Sequence, residues 1–510
     1  MSNKPQGQSK AKPKKTAICV TRENDFPSWY QEVIKEADMA ENSGVRGCMV
    51  IKPWGYGIWD NLKTRLDQRI KETGHENCYF PLFIPLELIE KEAAHVEGFA
   101  KEMAVVTHHR LVAKDGKLEP AGELESPLVV RPTSETMIGE SFAKWIVSYR
   151  DLPVMINQWA NVVRWEMRPR MFLRTSEFLW QEGHTAHATE VEAREETATM
   201  LEEYRALAED WLAVPVIPGE KSESERFPGA VETHTIEAMM QDGKALQAGT
   251  SHYLGQNFAH AADIKFQDAD GGESFCHTTS WGVSTRLIGA MIMTHGDDDG
   301  LRVPPTIAPH QIIILPIARD EEAAARVLPA ADELAAKLKN NIAFGNVVRA
   351  HVDKRDMNAG EKRWSWIKKG APIIIELGPR DLDQGTVMVT KRTDIYGKAP
   401  QAMDDFVASI AEQLQGEQDT LFNEAKTYRD ARVRTDVTDF DAFKACFAKD
   451  DVNTSGFVRA YWCESAESEE SLKELGVTIR CLPYDQPSEP GTCVLTGAPA
   501  TKQAIFAKAY

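Results

Sequence analysis

The segment 164–184, RWEMRPRMFLRTSEFLWQEGH, contains Arg164, Arg168, Arg170 and Arg174. The pattern predicts a strand, a short loop with two arginines around Pro169, and a second strand. Arginines at both ends of such a hairpin can face one cleft and hold a polyphosphate, because a guanidinium binds phosphate oxygens in pairs. Phe178 adds an aromatic face against which a base can stack. Taken alone, the segment is also compatible with an exposed hairpin with charged edges.

Three segments resemble the signature motifs of one enzyme class. The hairpin resembles motif 2 of the class II aminoacyl-tRNA synthetases. Its sequence, RWE and then FLRTSEFLWQEGHTAHA, is similar to that of the prolyl-tRNA synthetases. Residues 47–55 (GCMVIKPWG), followed by a helix and CYFPLFIP, resemble motif 1, which builds the dimer interface in this class; an ordinary core helix and strand is the alternative. Residues 281–305 resemble motif 3, in which Arg286 begins an apolar helix. A charge at that position needs a partner, and the resemblance implies that the partner is ATP.

The resemblance implies that proline is activated with ATP and then transferred to tRNA. Such a site must position the reactants and neutralise developing charge. Arg164 and Arg286 are the expected catalytic residues, Arg164 on the α-phosphate and the amino-acid carboxylate, and Arg286 over adenine opposite Phe178. The expected ATP contacts are Arg164, Glu166, Arg174, Thr175, Phe178, Gln247, Thr250, Ser284 and Arg286. Magnesium is the expected counter-charge, with Gln247 in its shell.

The amino acid is expected to bind through the TSE element at residues 133–135. Proline carries a secondary ammonium with two N–H donors, and Thr133 and Glu135 can accept both. A lone TSE is otherwise typical of a helix N-cap. By resemblance, the proline site comprises Thr133, Glu135, Arg164, Trp180, His184, Phe227 and His252. A small apolar pocket discriminates weakly against smaller molecules, so alanine and cysteine are expected errors.

An inserted editing domain is not expected between the second and third motifs. Residues 185–280 hold the intervening strands and helices and little more. The chain therefore resembles the archaeal/eukaryotic-like prolyl enzymes, which lack that insertion and carry a C-terminal extension.

The elements that must position these residues suggest a multidomain α/β and α+β protein. At 510 residues, with 42% apolar and 27% charged residues, the chain is long enough for three or four globular domains. We expect a basic tail at 1–16, either disordered or a loose RNA-contacting arm, and then a class II catalytic domain at 17–306 with an antiparallel sheet and helices. Next come an anticodon-binding α/β domain at 307–405 and an α+β extension at 406–510 that resembles the family's zinc domain. The last 75 residues of the chain are expected to form a separate α+β piece.

Strands and helices alternate after residue 310, which predicts a largely parallel sheet. The expected elements are strands at 311–315, 346–350, 372–377 and 386–390, helices at 320–339 (interrupted by Pro329) and 360–369, and one long charged helix at 402–434.

Charge, hydropathy and cysteine content exclude several other classes of protein. The net charge of −18 is unlike a generic nucleic-acid binder, although a local basic patch is sufficient to contact phosphates. The N-terminus has no apolar signal core, and the longest apolar runs fall short of a membrane span. Eight scattered cysteines fit reduced thiols. We therefore expect a cytoplasmic protein with no membrane association, and the resemblance implies a homodimer with tRNA and L-proline as partners.

The anticodon domain departs from the family at two positions. In a segment that otherwise follows the family, Ile367 replaces a glutamate and Ile374 an arginine. In the family those two, with a basic residue matching Arg380, read the guanines of proline anticodons. Arg380 remains, and Lys391 is a possible backbone contact. Either other residues compensate, or the enzyme charges a tRNA with another anticodon or ignores the anticodon.

The C-terminal extension departs at its metal site. A structural zinc needs four ligands, and the family spacing would place the second at residue 468 and the fourth at 496. These are Ser468 and Thr496, so only Cys463 and Cys493 remain. We predict no structural zinc. The chain ends in Tyr510, and in relatives the terminal carboxylate docks near the active site.

Two other functions fit part of this pattern. One is an enzyme that makes prolyl-adenylate for a non-tRNA acceptor, against which the anticodon-like domain argues. The other is a non-catalytic regulatory paralogue, against which the intact Arg164, Arg174, Arg286, Thr133 and Glu135 argue. Activation of proline and its transfer to tRNA is the favoured function.

Overall fold

A computed structural model describes residues 16–91, 102–448 and 455–510. The expected basic tail, apart from Thr16, lies outside these residues.

The first half of the chain alternates between strands and helices. Its helices are α1 (Phe26–Glu36), α2 (Pro53–Glu72), α3 (Leu86–Lys91), α4 (Glu135–Trp145), α5 (Glu190–Ala206), α6 (Asn257–Ala262) and α7 (Arg286–His295). Its strands are β1 (Ala40–Asn42), β2 (Met49–Ile51), β3 (Glu76–Asn77), β4 (Phe83–Pro85), β5 (Ala104–Lys114), β6 (Lys117–Val130), β7 (Val154–Val163), β8 (Glu177–His187), β9 (Val216–Glu220), β10 (Glu232–Met239), β11 (Ala245–Gly255), β12 (Lys265–Gln267), β13 (Glu273–Phe275) and β14 (His277–Ser284).

The second half holds a smaller sheet and the C-terminal extension. Its strands are β15 (Ile312–Pro316), β16 (Ile342–Ala343), β17 (Asn346–Val347), β18 (Ala350–Val352), β19 (Ile373–Leu377), β20 (Thr386–Lys391), β21 (Asp394–Ala402), β22 (Val433–Arg434), β23 (Phe457–Trp462), β24 (Thr478–Pro483), β25 (Gly491–Thr492), β26 (Pro499–Ala500) and β27 (Lys502–Ala507). Its helices are α8 (Glu321–Lys339), α9 (Ala359–Lys369), α10 (Pro379–Gln384), α11 (Met403–Ala408), α12 (Ile410–Asp430), α13 (Phe440–Phe447) and α14 (Ala466–Glu470).

The catalytic-type sheet is antiparallel from β9 to β7, in the order β9-β10-β11-β14-β8-β7. One face packs on α5, where Tyr204, Ile236 and Trp281 are buried. Gly183 on β8 lies under the Trp281 ring, and a Cβ atom there would be 2.0 Å from the ring carbons. The other face of the sheet is left for polar side chains.

The two strands of the arginine hairpin are β7 and β8, which pair from Val154↔Ala186 to Val163↔Glu177. Arg164 lies just beyond the first strand, because the ladder ends one residue earlier. Beyond it the backbone binds other segments: the Trp165 amide donates to the Glu102 carbonyl at 2.8 Å, and the Ser176 amide to the Gly47 carbonyl at 2.8 Å. Arg164 therefore opens the loop.

The smaller sheet has the order β18-β15-β19-β20-β21 and is mixed. β15 runs parallel to β18 and β19, whereas β19, β20 and β21 are antiparallel. The expected largely parallel sheet therefore forms only in its first half. The strand expected at 346–350 is replaced by β17, which pairs with β16, and by β18 in the sheet.

Helix boundaries in this region also differ from expectation. α8 continues through Pro329, because Val327, Ala331, Leu334 and Leu338 bury one apolar face and this packing outweighs the single hydrogen bond that proline removes. The long helix expected at 402–434 is divided at Ser409 into α11 and α12 and is followed by β22.

The C-terminal extension is not a separate piece. Its strands β22, β23, β27 and β24 continue the catalytic-type sheet, giving eleven strands in all. The junction is the antiparallel pair β24–β9, with Leu482↔Glu220 and Pro483↔Gly219. A shared sheet couples the extension directly to the strands behind the polar cleft.

Candidate active site

The polar face of the sheet and the first turn of α7 enclose two adjoining cavities of about 250 and 140 Å³. Both are lined by Arg164, Phe178, Ser284 and Arg286. The larger also contains Thr133, Glu135, Trp180, His184, Phe227, Gln247, Thr250 and His252, and the smaller contains Glu166, Arg174 and Thr175. Every residue expected to bind proline or ATP thus lines one continuous space.

Three guanidinium groups meet in this space. Arg286 begins α7, and burial together with the repulsion of Arg164 and Arg174 lowers its pKa to about 10. Burial likewise lowers the pKa of Arg164, against the opposing effect of Glu135, Glu102 and Glu182. Cations crowded in this way at a helix N-terminus favour a bound anion.

The loop between β7 and β8 is held by its own ion pair. Arg174 donates to Glu166 at 2.9 Å, and Thr175 donates its hydroxyl to the Glu177 carbonyl at 2.7 Å. Arg286 in turn donates to the Leu173 carbonyl at 3.2 Å. These contacts fix the loop against α7.

Aromatic rings form the walls of the larger cavity. The Arg164 guanidinium lies 5.7 Å from the ring centres of both Phe178 and Trp180. At the other end, the rings of Phe227 and His252 are 4.7 Å apart. Burial, with the charges of His234 and His184, lowers the pKa of His252 to about 3, so this imidazole is neutral.

The TSE element does not act as a side-chain cap of α4, although Ser134 precedes that helix. The Thr133 hydroxyl donates to the Glu135 carboxylate instead, and the Ser134 hydroxyl donates to Glu182 at 2.5 Å. Ser134 is thus the N-cap residue of α4 by position, but its side chain makes no capping hydrogen bond. Thr133 and Glu135 both face the cavity.

Glu182 is a residue of the site that the sequence reasoning missed. Its side chain is buried and accepts hydrogen bonds from Ser134, from Gln158 at 2.5 Å and from His184 at 3.0 Å. Burial works against the charged form of His184, but the hydrogen bond and charge of Glu182, together with the charge of Glu135, outweigh it and raise the pKa of this imidazole. The available signal was the spacing of Glu182 and His184 by two on one strand, which places both on one face.

The positions that replace the family's guanine readers are buried. Ile367 is 0% exposed and Ile374 2%. The Ile367 carbonyl accepts from the Arg392 guanidinium at 3.0 Å, and Arg392 is paired with Asp297 of the catalytic-type domain. Arg380 is exposed, and the Lys391 ammonium lies 3.8 Å from Glu417. Neither isoleucine side chain faces a surface that a tRNA base could reach.

The described residues contain no group of three or more His, Cys, Asp or Glu side chains suited to a metal ion. At the position that matches the family's zinc site, the Cys463 thiol lies 3.6 Å from the Thr496 hydroxyl, and Cys493 is buried. The Ser468 hydroxyl donates to the Ser465 carbonyl at 2.6 Å and accepts from Trp462 at 2.8 Å. These donors do not fit a tetrahedral zinc ion.

We predict that purified protein carries less than about 0.1 zinc per chain, and that dialysis against a chelator leaves its Tm unchanged, because no metal-binding energy contributes to folding. Elemental analysis and thermal unfolding measure both quantities. One tightly bound zinc per chain, lost together with stability on chelation, would show that the prediction is wrong.

The C-terminal residue lies beside the loop between β7 and β8. The Arg170 guanidinium lies 5.6 Å from the Tyr510 ring centre, and the Tyr510 hydroxyl donates to Asp242 at 2.7 Å. The Tyr510 amide donates to the Ala245 carbonyl at 3.0 Å, at the first residue of β11. The end of the chain is thereby attached to two elements that carry site residues.

Three family models match successive parts of the chain. Residues 117–295 match the tRNA synthetase class II core domain (G, H, P, S and T), and residues 311–413 match an anticodon binding domain. Residues 447–510 match the C-terminal domain of prolyl-tRNA synthetase. Fold and site together define a class II aminoacyl-tRNA synthetase.

Curated relatives extend over the whole chain. The proline–tRNA ligase of Paramagnetospirillum magneticum is 61% identical, covering 98% of this chain and 100% of the relative. That of Protochlamydia amoebophila is 59% identical, covering 97% and 99%, and that of Bdellovibrio bacteriovorus is 56% identical, covering 97% and 99%. The chain belongs to the proline–tRNA ligases, which join proline to tRNA at the expense of ATP. The alternative of a non-tRNA acceptor finds no support among these relatives.

Proposed function

We propose that the two cavities form one adenylation site, with proline in the larger and ATP across both. The observation that carries this assignment is the convergence of Arg164, Arg174 and Arg286 next to Thr133 and Glu135. The cations match the phosphates and the substrate carboxylate, while the acceptors match the proline ammonium. Trp180, His184, Phe227 and His252 enclose the ring.

Within this site Arg164 neutralises charge where the proline carboxylate meets the α-phosphate, and Arg286 covers one face of adenine opposite Phe178. Arg174, Thr175 and Glu166 hold the rest of the nucleotide, together with Gln247, Thr250 and Ser284. The protein supplies position and charge and needs no covalent intermediate of its own. Glu182 holds His184 in place behind the proline pocket.

Magnesium is proposed as the counter-charge of the ATP phosphates. Gln247 offers an amide oxygen in the larger cavity, a hard ligand of the kind that Mg²⁺ accepts. The ion would supply charge neutralisation when it is bound, and most of its remaining ligands would be water and phosphate oxygens.

Proline-dependent exchange of pyrophosphate into ATP tests this assignment. Exchange that requires both proline and Mg²⁺ is expected, followed by charging of proline tRNA. Exchange that continues without proline, or that is equal with other amino acids, would contradict the proposed proline pocket.

We also propose that the anticodon domain binds the sugar-phosphate backbone of the tRNA, with Arg380 and Lys391 among the contacts. Residues 367 and 374 do not read the anticodon bases. Burial of both isoleucines supports this proposal. Loss of a good bidentate base contact costs about 1–3 kcal/mol. An enzyme without these contacts should be correspondingly indifferent to the anticodon guanines.

We predict that replacing either anticodon guanine of proline tRNA lowers kcat/KM for charging by less than about 10-fold. Steady-state charging of the substituted transcripts measures the effect, and a transcript with an altered acceptor end serves as the matched control. A loss of 100-fold or more would show that other residues of this chain read the guanines.

A homodimer is proposed on the basis of the motif 1 segment. Large apolar side chains on and beside β2 and β4 remain exposed in the single chain, at 55% for Val45, 47% for Val50, 71% for Tyr79 and 44% for Phe83. Exposed apolar surface of this kind is typical of an interaction surface when it is contiguous. Sedimentation of wild type and of Val50→Asp tests the proposal, and a wild-type monomer at micromolar concentration would contradict it.

A cytoplasmic location is proposed from the free thiols. All eight cysteines are unpaired, which fits a reducing compartment. No helix in residues 16–91, 102–448 or 455–510 combines the length and apolar character needed to span a membrane.

A further inference from the structure

A triad of charges is buried where the C-terminal extension joins the catalytic-type sheet. Lys221, Glu237 and Arg480 are 2%, 0% and 7% exposed. The Lys221 ammonium donates to Glu237 Oε1 at 2.8 Å, and the Arg480 guanidinium lies 3.0 Å from Glu237 Oε2. Thr235 adds a third donor to Glu237 at 3.0 Å. The carboxylate is fully hydrogen-bonded, and the triad has a net charge of +1.

The members of the triad come from three different strands or strand ends. Lys221 follows β9, Glu237 lies on β10, and Arg480 lies on β24 of the extension. Arg480 stands two residues before Leu482, which pairs with Glu220 at the junction. Arg480 therefore places a positive charge of the extension in the interior of the catalytic-type domain.

The triad lies beside the proposed ATP site, because side chains that are paired across an antiparallel ladder lie on the same face of the sheet. Glu237 is paired in register with Gln247 on β11, and the β10–β11 register shifts between Ile236 and Glu237. Gln247 lines the larger cavity, whereas Glu237 is buried. Glu237 and Arg480 also affect the pKa of Arg286, although less than burial, Arg164 and Arg174 do. The Glu237 charge raises this pKa and the Arg480 charge lowers it.

Stability alone is a weak reason for such a cluster. Removing three charged groups from water is costly, and well-packed apolar residues in their place are often equally stable or more so. Fixing one register is the better-attested use of a buried charge cluster. Here the register concerned is the irregular one that sets the direction of Gln247.

We propose that Arg480 is a positioning residue for ATP. It holds Glu237, and thereby the shifted register of β10 and β11, so that the Gln247 amide points into the cavity. The C-terminal extension thus completes the nucleotide site through one buried guanidinium. The inference rests on the proposed role of Gln247.

The experiment is proline-dependent pyrophosphate exchange by the full-length chain carrying Arg480→Met. This variant leaves Lys221 and Glu237 as a balanced pair. We expect the KM for ATP to rise at least about 10-fold, the KM for proline to stay within about 2-fold, and the Tm to remain close to that of wild type. Arg480→Lys, which keeps the charge, should recover most of the ATP affinity.

Two variants make the result specific. Arg459→Met removes another arginine of the extension, on β23, whose guanidinium binds Asp485 at 2.9 Å and Gln503 at 2.8 Å without reaching the triad. It should change neither KM. Gln247→Ala tests the underlying assignment and should raise the KM for ATP by itself.

The possible outcomes separate the two ideas. If Gln247→Ala raises the KM for ATP and folded Arg480→Met does not, the positioning role is wrong while the proposed site stands. If Gln247→Ala has no effect, the proposed role of Gln247 fails, and the inference about Arg480 fails with it. Should Arg480→Met not fold, a folded Arg480→Gln variant decides: a rise in the KM for ATP alone supports the positioning role, whereas unchanged KM values or an equal rise in both contradict it.

Discussion

Replacing Arg286 by alanine is expected to lower proline-dependent pyrophosphate exchange by roughly 100- to 1,000-fold, the usual effect of removing one preorganised group that stabilises transition-state charge. Arg286 lies at the start of α7, where burial and two neighbouring arginines already lower its pKa to about 10. That environment destabilises the cation until an anion arrives. The guanidinium is therefore set to bind the nucleotide.

The measurement is initial exchange rates over a range of ATP concentrations. Arg326→Ala is the matched control, because Arg326 forms an exposed pair with Asp383 at 2.7 Å in the anticodon domain. It should retain the full rate. If Arg286→Ala kept more than a third of the wild-type rate, the proposed nucleotide site would be in the wrong place.

Glu135→Gln is expected to raise the KM for proline at least about 30-fold while changing the KM for ATP by less than about 3-fold, because truncating one partner of a desolvated charge pair costs 2 kcal/mol or more. The substitution keeps the shape of the side chain and removes its charge. Glu135 accepts from Thr133, faces the larger cavity and acts on both Arg164 and His184. The secondary ammonium of proline is its proposed partner.

The same helix offers a matched control. Glu140 lies one turn further along α4 and pairs on the surface with Lys144 at 2.8 Å. Glu140→Gln should leave both KM values unchanged. An equal rise in the KM for ATP and for proline in Glu135→Gln would indicate general damage to the sheet rather than loss of an ammonium acceptor.

Glu182 is a site residue that the tertiary structure shows and that no local sequence pattern indicates. The residues of the proposed site were recognisable because their chemistry is carried by short segments, such as the one that holds Arg164 and Arg174 and the TSE element at 133–135. Glu182 has no such signature. Its place depends on burial beside Ser134, which precedes α4, and beside Gln158 and His184, which lie on two neighbouring strands.

In the anticodon domain too, residue type shows one part of the answer and tertiary packing shows the other. The sequence shows that isoleucine stands at positions 367 and 374, and guanine recognition through them is excluded on side-chain chemistry alone. The tertiary structure adds that both are buried. Whether an apolar position is an exposed substitution or part of a core depends on what packs over it, and that packing comes from distant residues such as Arg392 and Asp297.

By itself, the sequence determined the class of enzyme, the arginines and acceptors of its proposed site, and the missing zinc ligands, because each is a matter of residue type and short spacing. The tertiary structure decided where strands end, that α8 passes through Pro329, and that the extension continues the catalytic-type sheet through β24 and β9. These outcomes depend on backbone pairing and burial between residues far apart in the chain. Local propensity cannot specify them, because the free energy that selects them comes from contacts formed only in the folded molecule.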